Sequence, residues 1–579
     1  MIYVKDHKTG DMFDPFSHLG PKRLKMLTDS WPGLFRRDVL PNLPVDLLSK
    51  YYARDIGRPT KELYAMMGVM LLQQMKDLSD DEAIRQFAFN TEWHYALNIT
   101  GESDAAAYIC TKTLWSMREL MSRHSLEERV FVLITEHLAK VFAVDMEKQR
   151  LDSTHIFSNM KHLGRIGLFI RTIKGFLTNL KRNHKDHYTK LPTHITQRYM
   201  TKQGESGFAM VKPSESSKRL EDLATDLFAL VEQFKDEHKV TAMSSYHKLV
   251  RLLKEQCIVT TDEGKGEHVE IKPCKDIASD SMQNPSDPDA GYDGHKGQGY
   301  QAQVMETYSE NGDAPCLITH VAVESAHAHD AHALIPAIEA TAEHGFAASE
   351  ILADSLYGSD ENIQDAAALG VQVISPVLGK TSEDKLGLDA FHMSADETVI
   401  SCPQGKFPER ITHKNEKIVA VFNIASCMSC PCKDRCPAVE GKKGFYLRYE
   451  RKQVRLAVRR AFEKTNEFKE KYRWRAGEEG TNSLAKQKTG LGKLRVRGMK
   501  AVRFAITLKW LGVNILRASA YKKPNNDENG SIAMKIAWSL WSVLALMKRT
   551  GDNICHIFLF LVFCSIWTDR ATQNKVMVE

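Results

Sequence analysis

Ile351-Leu352-Ala353-Asp354-Ser355-Leu356-Tyr357-Gly358 reads as an apolar strand that runs straight into an aspartate and then a turn. Ligands of α/β proteins gather at strand ends, so Asp354 is well placed to hold something. Asp is also an ordinary turn and N-cap residue, and the stretch alone leaves that reading open. Working outward, four more runs are strand-like: Gln149–Ile156, Gly299–Met305, Cys316–Val323 and Val371–Val377. A helix is predicted from Asp330, as N-cap, through Leu334, Ile335 and Ile338 to His344. The order β, long insertion, β, β, α, β, α, β predicts an α/β core with a mixed sheet.

Asp152 sits in the first of these strands, Gln149-Arg150-Leu151-Asp152-Ser153-Thr154-His155-Ile156. Propensity disfavours a carboxylate in a strand, so it needs a reason such as an edge, a turn or a metal. A third acid lies far downstream, in Tyr472-Arg473-Trp474-Arg475-Ala476-Gly477-Glu478-Glu479-Gly480-Thr481-Asn482-Ser483-Leu484-Ala485-Lys486. On a regular helix Tyr472, Arg475, Glu479 and Lys486 fall within roughly 60° of one another, and Glu478 points about 100° away. Such a face makes sense if the acid holds a metal and the bases hold phosphates. It is also what a solvated face of i,i+3 and i,i+4 ion pairs looks like. Gly477 and Gly480 each weaken a helix by about 1 kcal/mol relative to Ala; close approach of DNA or of a neighbouring strand would be a reason to keep them.

The segments between these acids have characters of their own. Phe157 to about Cys257 is helical and basic, with Lys161, Arg165, Arg171, Lys174, Lys181 and Arg182 interleaved with apolar residues. That run is either a solvated face or a phosphate-tracking surface. Residues 259–298, rich in Asp, Gly and Pro, are expected to be a loop or linker. Near the start, Thr60–Leu97 is helical, with Ser79 and Glu82 forming a capping box. A further helix over Thr111–Leu126 carries Arg118 and Arg123. Short helices with a basic last member suit a DNA-binding domain or a plain bundle.

Past residue 378 come Cys402-Pro403-Gln404-Gly405 and then Cys427, Cys430, Cys432 and Cys436. Thiolates offered from tight turns suit tetrahedral zinc; Cys402, Cys427, Cys430 and Cys436 are the preferred four, leaving Cys432 spare, against a set of reduced, unliganded thiols. After Lys486 a glycine-punctuated basic segment, Lys488–Lys500, leads into Ala501–Leu516, an apolar helix expected to pack back on the core.

At 579 residues, 43% hydrophobic and 26% charged, the chain suits a soluble protein of two to four domains. Net charge is only +6, but 79 Lys and Arg, many of them clustered, suggest a polyanionic partner. The start, Met1-Ile2-Tyr3-Val4-Lys5-Asp6, has no apolar signal segment, so a cytoplasmic location is expected. Ile554–Trp567 is too short an apolar run for a comfortable membrane span, so no membrane partner is expected. The eleven cysteines are then read as reduced thiols or metal ligands.

An Asp on the first strand, an Asp after the fourth and a Glu on a late helix resemble the ribonuclease-H-like catalytic domain of DDE transposases. Tyr472, Arg475, Glu479 and Lys486 resemble the Tyr-Arg-Glu-Lys motif of bacterial insertion-sequence transposases. Leu151-Asp152-Ser153-Thr154-His155, Gly299-Tyr300-Gln301-Ala302-Gln303, Ala353-Asp354-Ser355-Leu356-Tyr357-Gly358 and Leu494-Arg495-Val496-Arg497-Gly498 look like segments of the same group, as do the helical N-terminal region and the cysteine-bearing insertion.

The resemblance implies Asp152, Asp354 and Glu479 as catalytic acids holding two Mg²⁺ or Mn²⁺ ions. Tyr472, Arg475 and Lys486 would lie on DNA phosphates, with zinc a further metal. It implies cleavage at element ends and strand transfer, with double-stranded terminal inverted repeats and target DNA as partners and a homodimer on DNA. A ribonuclease-H-like nuclease without strand transfer, and a DNA-binding regulator that has lost catalysis, are the competing readings. The expected domains are a helical DNA-binding region at 1–130 and a first part of the core at 131–377, with a basic insertion at about 157–298. A cysteine-rich insertion at 378–450, the last part of the core at 451–520 and a tail at 521–579 complete the chain.

Overall fold

β1 (Lys148–Phe157) is the strand around which the core is laid out. In the computed structural model, residues 1–9, 14–54, 56–200, 215–262, 266–379, 385–414 and 416–521 are described; the apolar run Ile554–Trp567 and the tail beyond Tyr521 lie outside them. A helical insertion follows β1 and ends in a hairpin of β2 (Cys257–Asp262) and β3 (Gly266–Ile271). The chain then returns as β4 (Gly291–Asp293), β5 (Gly297–Thr307), β6 (Ile318–Ser325), β7 (Glu350–Ala353) and β8 (Gln372–Ile374). β5 runs antiparallel to β1 along Gln149–Phe157, and its outer edge takes β4 at one end and β6 along the rest. On the other side β1, β7 and β8 are parallel. The result is the mixed sheet expected from the strand pattern.

The period of two explains which side chains of β1 go where. Leu151 packs with Ile351, Ala353, Leu334 and Ala337 under one face of the sheet. Ile156 points to the other face and joins Tyr300, Ala302 and Val304 in a core built with the long helix Met499–Ala520. That helix is apolar on nearly all sides because, from Phe504 to Ile515, it is buried on all sides. The N-terminal helices, above all Leu63–Met75, share its core, so closely that a methyl at Gly512 would meet Met75 at 2.9 Å.

Several local expectations are met. Ser79 and Glu82 form the capping box in full: Glu82 N donates to Ser79 Oγ, and Ser79 N to Glu82 Oε2. The helix from Thr111 ends at Arg123. Others are corrected. Residues 259–298 are not a plain linker: apolar residues two apart let Val269 and Ile271 of β3 pack on the insertion's own core, with Phe169, Phe176 and Leu227. Asp330 does not cap a helix. It opens a 3₁₀ turn, Asp330–Ala333, and its carboxylate accepts instead from Ser153 and Gln303. Arg118 bonds Asp80 and Gln73 and ties the first helices together. Arg165 likewise holds Gln256 and the Lys272 carbonyl inside the insertion.

The cysteine-bearing segment is a small antiparallel unit. β9 (His392–Met393) pairs with β10 (Val399–Ser401), and β11 (Arg410–Lys414), β12 (Lys417–Phe422), β13 (Val439–Gly441) and β14 (Gly444–Glu450) form a sheet ordered β11-β12-β14-β13.

One buried ionic cluster fixes how the helix Gly477–Thr489 sits on the sheet. Glu306, fully buried on β5, accepts from Arg150 of β1 (Nε 2.7 Å, Nη2 2.6 Å) and from Arg517 of the helix Met499–Ala520 (Nη1 2.5 Å). Thr481 of the Gly477–Thr489 helix adds its hydroxyl at 2.7 Å and also bonds Arg517. Two guanidiniums left without their carboxylate in such a place are costly. Glu306→Ala is therefore expected to lower stability by about 3–5 kcal/mol, read from the shift of the denaturant midpoint; an unshifted midpoint would show that the cluster does not hold these elements together.

Candidate active site

Asp152 and Asp354 arrive from neighbouring parallel strands. β1 and β7 are in register Leu151 to Ala353, so Asp152 and Asp354 are the next residue on each, where β7 gives way to a turn. Adjacent strands lie about 4.8 Å apart, which sets the two carboxylates side by side. Arg475 spans them: its Nη2 is 3.1 Å from Asp152 Oδ1 and 4.0 Å from Asp354 Oδ2. Ser355 donates both its backbone N–H and its hydroxyl to Asp354 Oδ1. Burial raises the Asp152 carboxyl above its usual range; the Arg475 charge opposes this, and the charges of Asp354 and Asp330 add to it. Paired carboxylates set against a cation are hard oxygen donors of the kind divalent ions prefer, so these two residues fit such an ion. Among the described residues, no group of three or more His, Cys, Asp or Glu side chains is placed to hold a metal ion.

The third predicted acid lies on a broken helix, not a continuous one. Asn466–Tyr472 is α-helical, Arg473–Ala476 is 3₁₀ and Gly477–Thr489 is α-helical again. The tighter 3₁₀ turn advances each side chain by about 120°, so residues three apart eclipse, and Tyr472, Arg475, Glu479 and Lys486 keep a roughly common direction across the break. Tyr472 is half-buried and stacks on Phe468, ring centroids 5.2 Å apart. Arg475 lies on the two aspartates. Glu479 and Lys486 are exposed, and Glu478 turns inward and is fully buried. Neither Glu478 carboxylate oxygen has a hydrogen-bond partner. Burial and the nearby Glu306 charge push its carboxyl far above the ordinary range, against the pull of Arg150 and Arg517.

The glycine at 477 now has its reason. A methyl there would stand 2.1 Å from the Arg150 guanidinium, whose Nη1 donates to the Trp474 carbonyl at 2.5 Å. Gly480 faces open space.

A layer behind the aspartates escaped the sequence reading. Asp330 accepts from Ser153 Oγ (3.1 Å) and Gln303 Nε2 (2.8 Å), and the buried Tyr357 hydroxyl donates to Gln303 Oε1 (2.6 Å). The Arg150–Glu306 pair escaped it too, although both are charged residues inside strands, the same anomaly that marked Asp152.

Cys402, Cys427, Cys430, Cys432 and Cys436 line one small cavity with Phe391, Phe422 and Phe445. Cys402 sits in the predicted tight turn, accepting from Gly405 N at 2.8 Å, with Gly405 in the left-handed region at φ +70°. Burial, with the neighbouring thiols, raises the Cys427 and Cys436 thiols. Cys432 is not apart from the other four. It lines the same cavity, and Gln404 Nε2 lies 3.4 Å from its sulfur.

Residues 401–518 match the family model described as Transposase DDE domain, and residues 36–120 match the one described as Transposase domain (DUF772). The chain is a DDE transposase. The DDE match takes in the helix with Glu478 and Glu479 but begins after both aspartates, whose assignment rests on the geometry above. Neither the curated proteins nor the solved structures contain a match to the transposase. Among its described residues, no helix is long and apolar enough to cross a membrane.

His155, three residues beyond Asp152 on β1, is 8% exposed, its ring nitrogens without hydrogen-bond partners and its ring T-shaped to Phe157 with centroids 4.7 Å apart. Burial, then the charge of Lys296, lowers its pKa from 6.5 to about 4. The unfolded chain therefore binds a proton between those values that the folded chain refuses. This contribution to stability is complete above pH 6.5 and is lost as pH falls towards 4. His155→Gln should flatten the acid-side loss of thermal stability across that window; a pH–stability curve identical to that of the parent would refute the assignment.

Proposed function

We propose that the transposase cuts at the ends of its element and joins those ends to target DNA, with Asp152, Asp354 and Glu479 as the acids of a two-cation centre. The observation that carries this reading is the pair Asp152 and Asp354, level on adjacent strands and bridged by Arg475, beside the helix that opens Glu478-Glu479. Sheet order and direction support a ribonuclease-H-like core: β6, β5, β1, β7, β8, with the first two pairings antiparallel and the last two parallel. Held by these carboxylates, Mg²⁺ or Mn²⁺ would supply Lewis-acid charge and a nucleophile reactive near neutral pH.

The protein's own groups have separate tasks. Arg475 neutralises the two aspartates until the cations arrive, and its planar donors can then take a phosphate. Lys486, exposed on the same helix, faces DNA phosphates. Tyr472 positions this corner by packing on Phe468. The Arg150–Glu306–Arg517 cluster sets the depth of the helix that carries Glu479. Residues 36–120 lie in the helical region to which we assign binding of the terminal inverted repeats. Two ends must meet for joining, so we assign a homodimer to the DNA complex. Cys402, Cys427, Cys430 and Cys436 are the proposed zinc ligands, on the support of their common cavity.

Asp152→Asn, Asp354→Asn and Glu479→Gln should each abolish Mg²⁺-dependent cleavage of a duplex bearing the element end while binding of that duplex stays measurable. Glu478→Gln should still cut; loss of cutting there together with retention in Glu479→Gln would move the third acid by one residue. A strand-transfer assay on pre-cleaved ends separates joining from simple nuclease action. Purified protein should hold one zinc per chain and lose it in Cys427→Ser; substoichiometric zinc in the parent would leave the thiols unliganded.

A further inference from the structure

The insertion between β1 and β2 carries a groove that the cleavage chemistry does not use. It is about 800 Å³ in volume and is bounded by the helices Arg165–Asn183 and Ser244–Gln256 and by Pro285 and Ser286. Among the described residues, its charged lining residues are Arg171, Lys174 and Lys248, with no Asp or Glu. On the first helix, Gly167, Arg171, Gly175 and Asn179 recur every four residues and so share one face. A methyl at Gly175 would stand in open space, and one at Gly167 would touch only Leu163, at 3.6 Å. Two glycines inside a 19-residue helix cost about 1 kcal/mol each, and no packing among the described residues requires either. They leave bare backbone on the floor of a cationic groove, which lets a bulky anionic chain come close.

The groove is anchored to the catalytic core. Lys248 Nζ donates to the Pro285 carbonyl at 2.7 Å, so the groove wall and the loop after it move together. In that loop Asp287 accepts from Ser158 (2.6 Å) and from the backbone N–H of Gly498 (2.9 Å), and Asp289 accepts from Met499 N (2.8 Å). Gly498 closes the basic segment that follows the Gly477–Thr489 helix, on which Lys493, Arg495 and Arg497 are exposed. Arg497 also bonds Asn159, at the start of the insertion, at 2.6 Å. The basic segment after the glutamate helix is thus tied to the insertion that carries Arg171, Lys174 and Lys248.

We propose that this groove is a second DNA-binding surface, holding the sugar-phosphate backbone of the duplex away from the phosphodiester being cut. The proposal rests on the transposase reading and adds the path of the DNA across the molecule. Three cations and exposed glycine backbone offer charge and close approach but few side chains able to read base edges, so the groove grips phosphate and is indifferent to sequence.

The test uses the full-length protein and two duplexes with the same element end, one extending well beyond it and one truncated close to the cleavage point. Arg171→Glu/Lys174→Glu should bind the long duplex at least tenfold more weakly. The slope of log affinity against log salt should become shallower by about 2, near 0.9 for each phosphate that the variant no longer neutralises. Binding and Mg²⁺-dependent cleavage of the truncated duplex should match the parent. Gly175→Gln, which fills the groove without changing charge, provides the second arm should the double variant fail to fold, and it too should weaken only the long duplex. Unchanged affinity and salt slope for the long duplex, or equal losses on both duplexes, would overturn the groove while leaving the acids untouched. A parent protein that neither binds nor cuts either duplex would instead bring down the transposase reading on which the groove depends.

Discussion

A single buried carboxylate holds the catalytic half of this molecule in register. Glu306 lies within the sheet, on β5, with no exposure and carries two guanidiniums, one from the strand of Asp152 and one from the helix Met499–Ala520. Charges in such a place are held only because each partner satisfies the other. The helix that bears Glu478 and Glu479 is coupled to them through Thr481 and through the Trp474 carbonyl. Strand, helix and C-terminal helix therefore cannot shift independently. The three-acid site proposed above would need this kind of constraint, because carboxylates that share cations tolerate little misplacement.

Electrostatics of opposite sense meet at the surface above it. Asp152 and Asp354 would repel at the spacing of adjacent strands, and Arg475 relieves that repulsion. The same guanidinium is suited to phosphate, so one residue can serve the site with and without its cations. Outside this centre the balance turns basic, from Lys486 through Arg497 to the groove of the insertion. Acidic where cations are wanted and basic where phosphates run, the charge layout is that of a metal-dependent enzyme on a polyanion.

Much of this was legible in the chain because it depends on local rules. The strand period, the capping box at Ser79–Glu82, the apolar helix that became Met499–Ala520 and the two aspartates at strand positions all follow from short-range pattern. The transposase resemblance drawn from the motifs agrees with the matches at residues 36–120 and 401–518. The hairpin at Cys257–Ile271 was hidden by composition, since Asp and Gly nearby outweighed the alternation of its apolar residues. Arg118 and Arg165 looked like surface charge in sequence, and only their partners, 38 and 91 residues away, reveal structural duty.

The sequence by itself determined the elements, their order and the residue types able to hold cations and phosphate. It did so because helix and strand periodicity, capping and the spacing of charged groups are properties of a few neighbouring residues. Helix spacing set Glu478 and Glu479 about 100° apart, but the depth at which Glu478 is buried was decided by tertiary structure, through the packing of this helix against Arg150 and Glu306. So were the bridging of Asp152 and Asp354 by Arg475 and the joining of the insertion's groove to the segment after the glutamate helix. Those arrangements depend on residues hundreds of positions apart meeting one another, and burial and charge pairing at that range exist only once the chain has closed on itself.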